Sequence, residues 1–172
     1  MKTRRTQLQT GTIPRRSRHE RGSALVEFSL VAPMLLLTTF LIVDTGFYFF
    51  VRHTLQFATR EGVRLALVGA TLTDDTGTPM SREASIIDTI EHNAAVAGIN
   101  PSDLRISIFP IADDFTNPEG WEERQDAGGP GDYMRVRVRY DHPFLTNIVR
   151  HVSSDDHLAV MAEATYRNEL FE

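Results

Sequence analysis

Polar and apolar positions divide the chain into three regimes. Residues 1 to 22 are polar and basic. From Phe28 to Val51 almost every position is apolar, and Asp44 is the single charged residue. Beyond Val51 the pattern becomes periodic. "VRHTLQFATREGVRLALV" interleaves charges with Leu55, Ala58, Leu65 and Ala66 at helical spacing. That spacing predicts one long helix from Ser23 to about Val68, membrane-embedded at first and amphipathic later. Pro33 lies inside it, where proline removes a hydrogen bond and usually kinks a helix.

A turn-rich break, "GATLTDDTGTPM", follows. Its Asp74–Asp75 pair lacks the spacing of a calcium loop, so it reads as a solvated loop. Thr78-Pro79 resembles an N-cap with proline at the first helical position. A second helix is expected over Pro79–Ala97, with Ile86, Ile90, Ala94 and Ala97 on one face and Gly98 ending it.

Three stretches then alternate with period two. Leu104, Ile106 and Ile108 oppose Arg105 and Ser107. Met134, Val136, Val138 and Tyr140 oppose Arg135, Arg137 and Arg139. Leu158, Val160, Ala162 and Ala164 share a third apolar face. This is the pattern of a half-buried antiparallel sheet. The link "NPEGWEERQDAGGPGD" predicts a mobile surface loop. Pro143 is expected to open a short helical turn before the last strand. The expected fold is therefore α+β: a long transmembrane helix, a second helix, and a small antiparallel sheet of about three strands, pilin-like in layout. The two amphipathic helical segments can cover the sheet's apolar face.

Charge sharpens the membrane reading. Residues 1 to 22 hold seven Lys or Arg and one acid, a net of +6, whereas the remaining 150 residues hold 11 basic and 22 acidic groups, a net of −11. A cationic arm before an apolar helix stays on the cytoplasmic side of a bilayer. The apolar run has 24 residues. A span needs about 20, and a secretory signal has only about 7–15. Phe47, Tyr48, Phe49 and Phe50 suit a membrane interface. The chain has no cysteine, which excludes disulfides, thiolate metal sites and a cysteine nucleophile.

Little points to catalysis or metal binding. No nucleophile elbow or phosphate loop is present. Glu122 and Glu123 beside Trp121 read as surface groups. His151, Asp155, Asp156 and His157 have no recognised ligand spacing and read as a polar turn. The arginine row reads as a solvated face paired with Glu163, and the acidic body disfavours nucleic acid. No enzyme activity, cofactor or metal is expected.

Two acids stand out against hydrocarbon. Glu27 lies at the mouth of the apolar segment, where an unpaired carboxylate costs several kcal/mol. Asp44, further in, either pairs with a neighbouring subunit or lies near the outer interface. Gly22, then Ser-Ala-Leu-Val, Glu27 and Phe28 at the head of an apolar helix match the layout of a type IV prepilin processing site. "ALVEFSLVAPMLLL" and, after the membrane helix, "ATREGVRLA" resemble the TadE-like pseudopilins of tight-adherence (Flp) pilus systems, over about residues 21 to 70.

The resemblance implies cutting by a prepilin peptidase between Gly22 and Ser23. It also implies that Glu27 neutralises the new amine of an adjacent subunit, or is read by the peptidase or the assembly platform together with Phe28. Its domains would be a leader at 1–22, a pilin-type helix at 23–70 and a periplasmic head at 71–172. The partners expected are the peptidase, other pilins and pseudopilins, the assembly platform and the lipid bilayer. The expected location is the bacterial inner membrane, with the N-terminus cytoplasmic and the head periplasmic. The rival reading is a membrane-tethered periplasmic binding or adhesion module that never enters a filament.

In the REGVR segment Glu61 bridges ideally to neither Arg60 nor Arg64, and a partner three or four residues away or on another chain is expected. Gly62 weakens the helix by about 1 kcal/mol, which suits close helix packing or a bend. A snorkelling interfacial zone explains the same residues.

Overall fold

The structure is a computed structural model that describes residues 18–146, 150 and 157–170, with side chains from 22 onward. The expected α+β order holds. Helix α1 spans Arg18–Leu67, α2 spans Arg82–Ala94, and strands β1 (Leu104–Pro110), β2 (Tyr133–Pro143) and β3 (His157–Arg167) follow. The sheet is antiparallel, in the order β1-β2-β3. The chain divides between Thr39 and Phe40 into two units.

In the first unit α1 runs through Pro33 without a break. Its apolar side chains are exposed on every side: Leu25, Phe28, Leu30 and Met34 are all more than two-thirds exposed. The mean hydropathy reaches 2.1 over its most apolar stretch. A helix apolar all round with no protein around it has the composition of a membrane anchor.

The second unit holds the core. Val51, Leu55, Ala58 and Ala66 of α1 cluster with Ile86, Ile90 and Ala94 of α2 and with the inward residues of the sheet. Those inward residues include Ile106, Ile108, Met134, Val136, Val138, Val160 and Ala162. They are the alternating positions that the period-two pattern marks as apolar. Leu158 departs from the pattern and is 40% exposed at the start of β3, while Tyr166 is buried near its end.

Gly62 explains how the two helices approach. A Cβ built there would lie 2.7 Å from Ile90 Cγ1 and 3.2 Å from the Ile86 carbonyl oxygen. The glycine therefore serves helix packing.

Several expectations need correction. α2 starts at Arg82, not Pro79, because Thr78 and Pro79 are consumed by the preceding turn. Asp74 accepts the Thr76 and Thr78 N–H groups at 2.9 and 2.8 Å, and Thr73 bridges Pro79. Ser81 is the N-cap instead, its Oγ accepting the Ala84 N–H at 3.1 Å. Ala95–Ala97 form a tighter 3₁₀ turn, and Gly98 ends it at φ 72°.

The link before β2 is not a free loop. Gln125 bridges Ile108 on the outer edge of β1. The Trp121 ring packs against Phe109, and the Arg137 guanidinium lies 4.1 Å from its centre. One tryptophan thus fastens the link over the sheet's outer face. Pro143 is the last residue of β2; a helical turn follows, with the Arg150 N–H donating to the Thr146 carbonyl at 3.3 Å, while residues 147–149 and 151–156 lie outside the described residues.

Candidate functional site

Gly22, Ser23, Glu27 and Phe28 all lie on α1 and are exposed. Ser23 and Glu27 stand one turn apart and share a helix face. A Cβ on Gly22 meets nothing within 4 Å, so the fold makes no demand for glycine there. Glu27 forms no ion pair among the described residues. The leader itself lies outside the described residues up to position 17.

Asp44 differs. It is 6% exposed, and its partners come from its own chain. Oδ1 accepts the Leu145 N–H at 2.7 Å and the Thr146 N–H at 3.2 Å, and the Thr146 hydroxyl donates to Oδ2. A carboxylate with three donors is a satisfied acid in an apolar setting. The bend after β2 supplies all three. Sequence reasoning missed this pairing. An acid in an apolar run signals that donors are required, but no local pattern indicates that a bend 101 positions away provides them.

His142 stands beside this contact and was also missed. It is 4% exposed and its ring lies 5.4 Å from Phe47, 5.9 Å from Tyr140 and 6.4 Å from Tyr48. Burial pushes its pKa below the ordinary histidine value, with the Asp44 charge opposing. The imidazole is therefore kept neutral.

In the REGVR segment Arg64 pairs with Glu61 at 2.9 Å, three residues on. The expectation that neither arginine suits Glu61 is thus corrected. Arg64 is 81% exposed, so the pair adds little stability. On the outer sheet face Arg137 Nε donates to Glu163 at 2.7 Å, and Arg135 lies 3.3 Å from the same carboxylate. Arg139 reaches Asp141 at 3.3 Å. The arginine row is therefore held by acids on its own sheet.

His151, Asp155 and Asp156 lie outside the described residues, while His157 opens β3. No group of three or more His, Asp or Glu among the described residues is placed to hold a metal ion.

The apolar helix has the length and composition of a membrane span, and the second unit is a small α+β fold. The family model of TadE-like proteins matches residues 22–64. Residues 22–64 of this chain are therefore a TadE-like segment. The match begins at Gly22 and ends at Arg64, the last residue of REGVR. No curated protein and no solved structure matches the chain.

Proposed function

We propose that the protein is a minor pilin or pseudopilin of a Tad/Flp pilus apparatus. A prepilin peptidase removes the leader after Gly22. The mature chain stays anchored by α1, with its N-terminus cytoplasmic and its head periplasmic, until it joins or supports a filament. It acts through contacts with other pilins and with the assembly platform, and performs no catalysis.

The observation that carries this reading is the family match starting at Gly22, with Glu27 five places on and without an ion-pair partner among the described residues. Cleavage makes Ser23 the N-terminus and creates an α-amino cation at the edge of the apolar layer. A lone carboxylate in that layer is costly, and an opposite charge on a neighbouring chain offsets the cost. The pair then fixes the register between subunits, because its attraction falls quickly with misalignment at low dielectric.

Gly22→Ile and Glu27→Ala test the two halves separately. Nothing lies near a Cβ at Gly22, so loss of trimming in Gly22→Ile reports the peptidase and not misfolding. The expected result is an untrimmed, membrane-inserted chain on a gel. Glu27→Ala should insert and be trimmed, yet be depleted from sheared pilus preparations. Normal trimming of the first variant would refute the cut site, and normal incorporation of the second would refute the pairing.

A further inference from the structure

Beyond the apolar run, one face of α1 packs against nothing in its own chain. Phe49, Arg52, His53, Phe57 and Arg60 recur at helical spacing and are all exposed. They stand opposite Val51, Leu55 and Ala58, which turn into the core. We propose that this face docks the acidic link of a second copy, residues 112–126, so that copies join head to tail in one membrane. The proposal deepens the pilin reading by naming the partner. It rests on α1 anchoring each copy and not on cleavage after Gly22.

Charge is the first support. Arg52 and Arg60 form no ion pair among the described residues, and Glu61 beside them is taken by Arg64. The link holds six acids, Asp113, Asp114, Glu119, Glu122, Glu123 and Asp126, against Arg124 alone. None of the six is in an ion pair among the described residues, because the arginines of the neighbouring sheet face are held by Glu163 and Asp141. A cationic helix face and an anionic link are therefore each left without a counter-charge. Phe57, 55% exposed between Arg52 and Arg60, adds the aromatic contact typical of an interface centre.

Height is the second support. A row of contacts crosses the head at one level. Gln56 Nε2, on the flank of the basic face, donates to the Glu163 carbonyl of β3 at 3.2 Å. Glu163 lies opposite Arg137 of β2, and Arg137 lies opposite Ser107 of β1. The Ser107 hydroxyl donates to the Glu122 carbonyl of the link. The basic face and the link are thus level with each other, one beside β3 and the other beside β1. Three strands separate them within a chain, so they meet only between chains. A bilayer that holds two anchored copies at one height sets the link of one against the helix face of the next. The two patches differ, so the contact is heterologous and leaves a free patch at each end for further copies. Lipid headgroups would answer the arginines but leave the six acids unpaired.

The chain has no cysteine, which makes crosslinking a clean test. Full chains carrying His53→Cys or Glu119→Cys, both at exposed positions, are mixed in phosphatidylcholine liposomes and treated with a short bismaleimide. The mixture should give a covalent dimer, and neither variant alone should. Val96→Cys, exposed and outside both patches, should give none with His53→Cys. Adding Arg52→Glu and Arg60→Glu to the His53→Cys chain should cut the mixed dimer about tenfold, because like charges then face each other. Adding Glu122→Arg and Glu123→Arg to the Glu119→Cys chain should restore it. One chain carrying both cysteines should give a ladder of trimers and longer products. Yields should be the same with residues 1 to 22 present or trimmed, so this result and the cut-site result fail independently.

A mixed yield no higher than the Val96→Cys control would overturn the proposal. So would dimers of His53→Cys with itself, or a mixed dimer that survives the arginine changes. Loss of the mixed dimer in phosphatidylglycerol liposomes would assign the face to lipid headgroups and overturn it too.

Discussion

The contact at Gly62 yields a prediction whose sign and size follow from the geometry. Gly62→Val places a Cβ 2.7 Å from Ile90 Cγ1 and 3.2 Å from the Ile86 carbonyl, then adds two methyl groups. The Ile86 carbonyl belongs to α2, so the helix must shift and cannot simply rotate a side chain. Overpacking of this kind costs about 1–3 kcal/mol, and valine recovers less than the roughly 1 kcal/mol that alanine gains over glycine in a helix. A net loss of about 0.5–2.5 kcal/mol is expected. At about 3 °C per kcal/mol for a chain of this size, the melting temperature should fall by roughly 2–8 °C.

Gly62→Ala sets the same clash against the full propensity gain and should fall between neutral and about 2 kcal/mol destabilising. The assay is thermal unfolding of the full chain in mild detergent, followed by fluorescence of Trp121, the one tryptophan. Its ring packs on Phe109 and Arg137. A double-mutant cycle isolates the contact. Ile90→Ala alone should cost about 2–5 kcal/mol, and combined with Gly62→Ala the total should fall below the sum by about 1–2 kcal/mol. Unchanged stability of Gly62→Val, or an additive cycle, would refute the packing argument.

Asp44→Ala strips the acceptor from two N–H groups and a hydroxyl. It should cost about 2–4 kcal/mol, Thr146→Val only about 1 kcal/mol, by the same melting assay. Glu163→Gln removes the charge shared by Arg135 and Arg137. The glutamate is about a third exposed, so the loss should stay below about 1 kcal/mol and shrink further in 0.5 M salt. Stability should also depend on His142, which faces Asp44 and Tyr48 of α1 and Tyr140 of its own strand. Its folded pKa is lowered, so its contribution is complete above about pH 6.5 and is lost as the pH falls through the lowered value. Melting curves between pH 7.5 and 5 should therefore show a steeper decline for wild type than for His142→Phe.

The helices and strands were legible because each carries its own period. Ile106, Ile108, Met134, Val136 and Val138 all point inward where alternation placed them. The start of α2 was misread because two capping signals, Thr78-Pro79 and Ser81, compete within four residues. Asp74 decides the contest by accepting the Thr78 N–H. The Trp121 link looked mobile because its composition is that of a loop, and only the tertiary fold brings Phe109 and Arg137 beneath the indole.

Within the candidate site, Gly22 and Glu27 are singled out by local order alone. The partners of Asp44 are not, since they sit on the bend after β2. Arg64 was legible as the partner of Glu61, being three residues away and so within reach on one helix face.

In the proposed assembly an amine freed at Ser23 meets the charge of Glu27 on a neighbouring chain. The decisive measurement is intact-mass and N-terminal peptide mass spectrometry of the protein from its native membrane. The mature chain should begin at Ser23, with or without an added methyl group on its amine. A native protein that still carries residues 1 to 22 would refute the pairing.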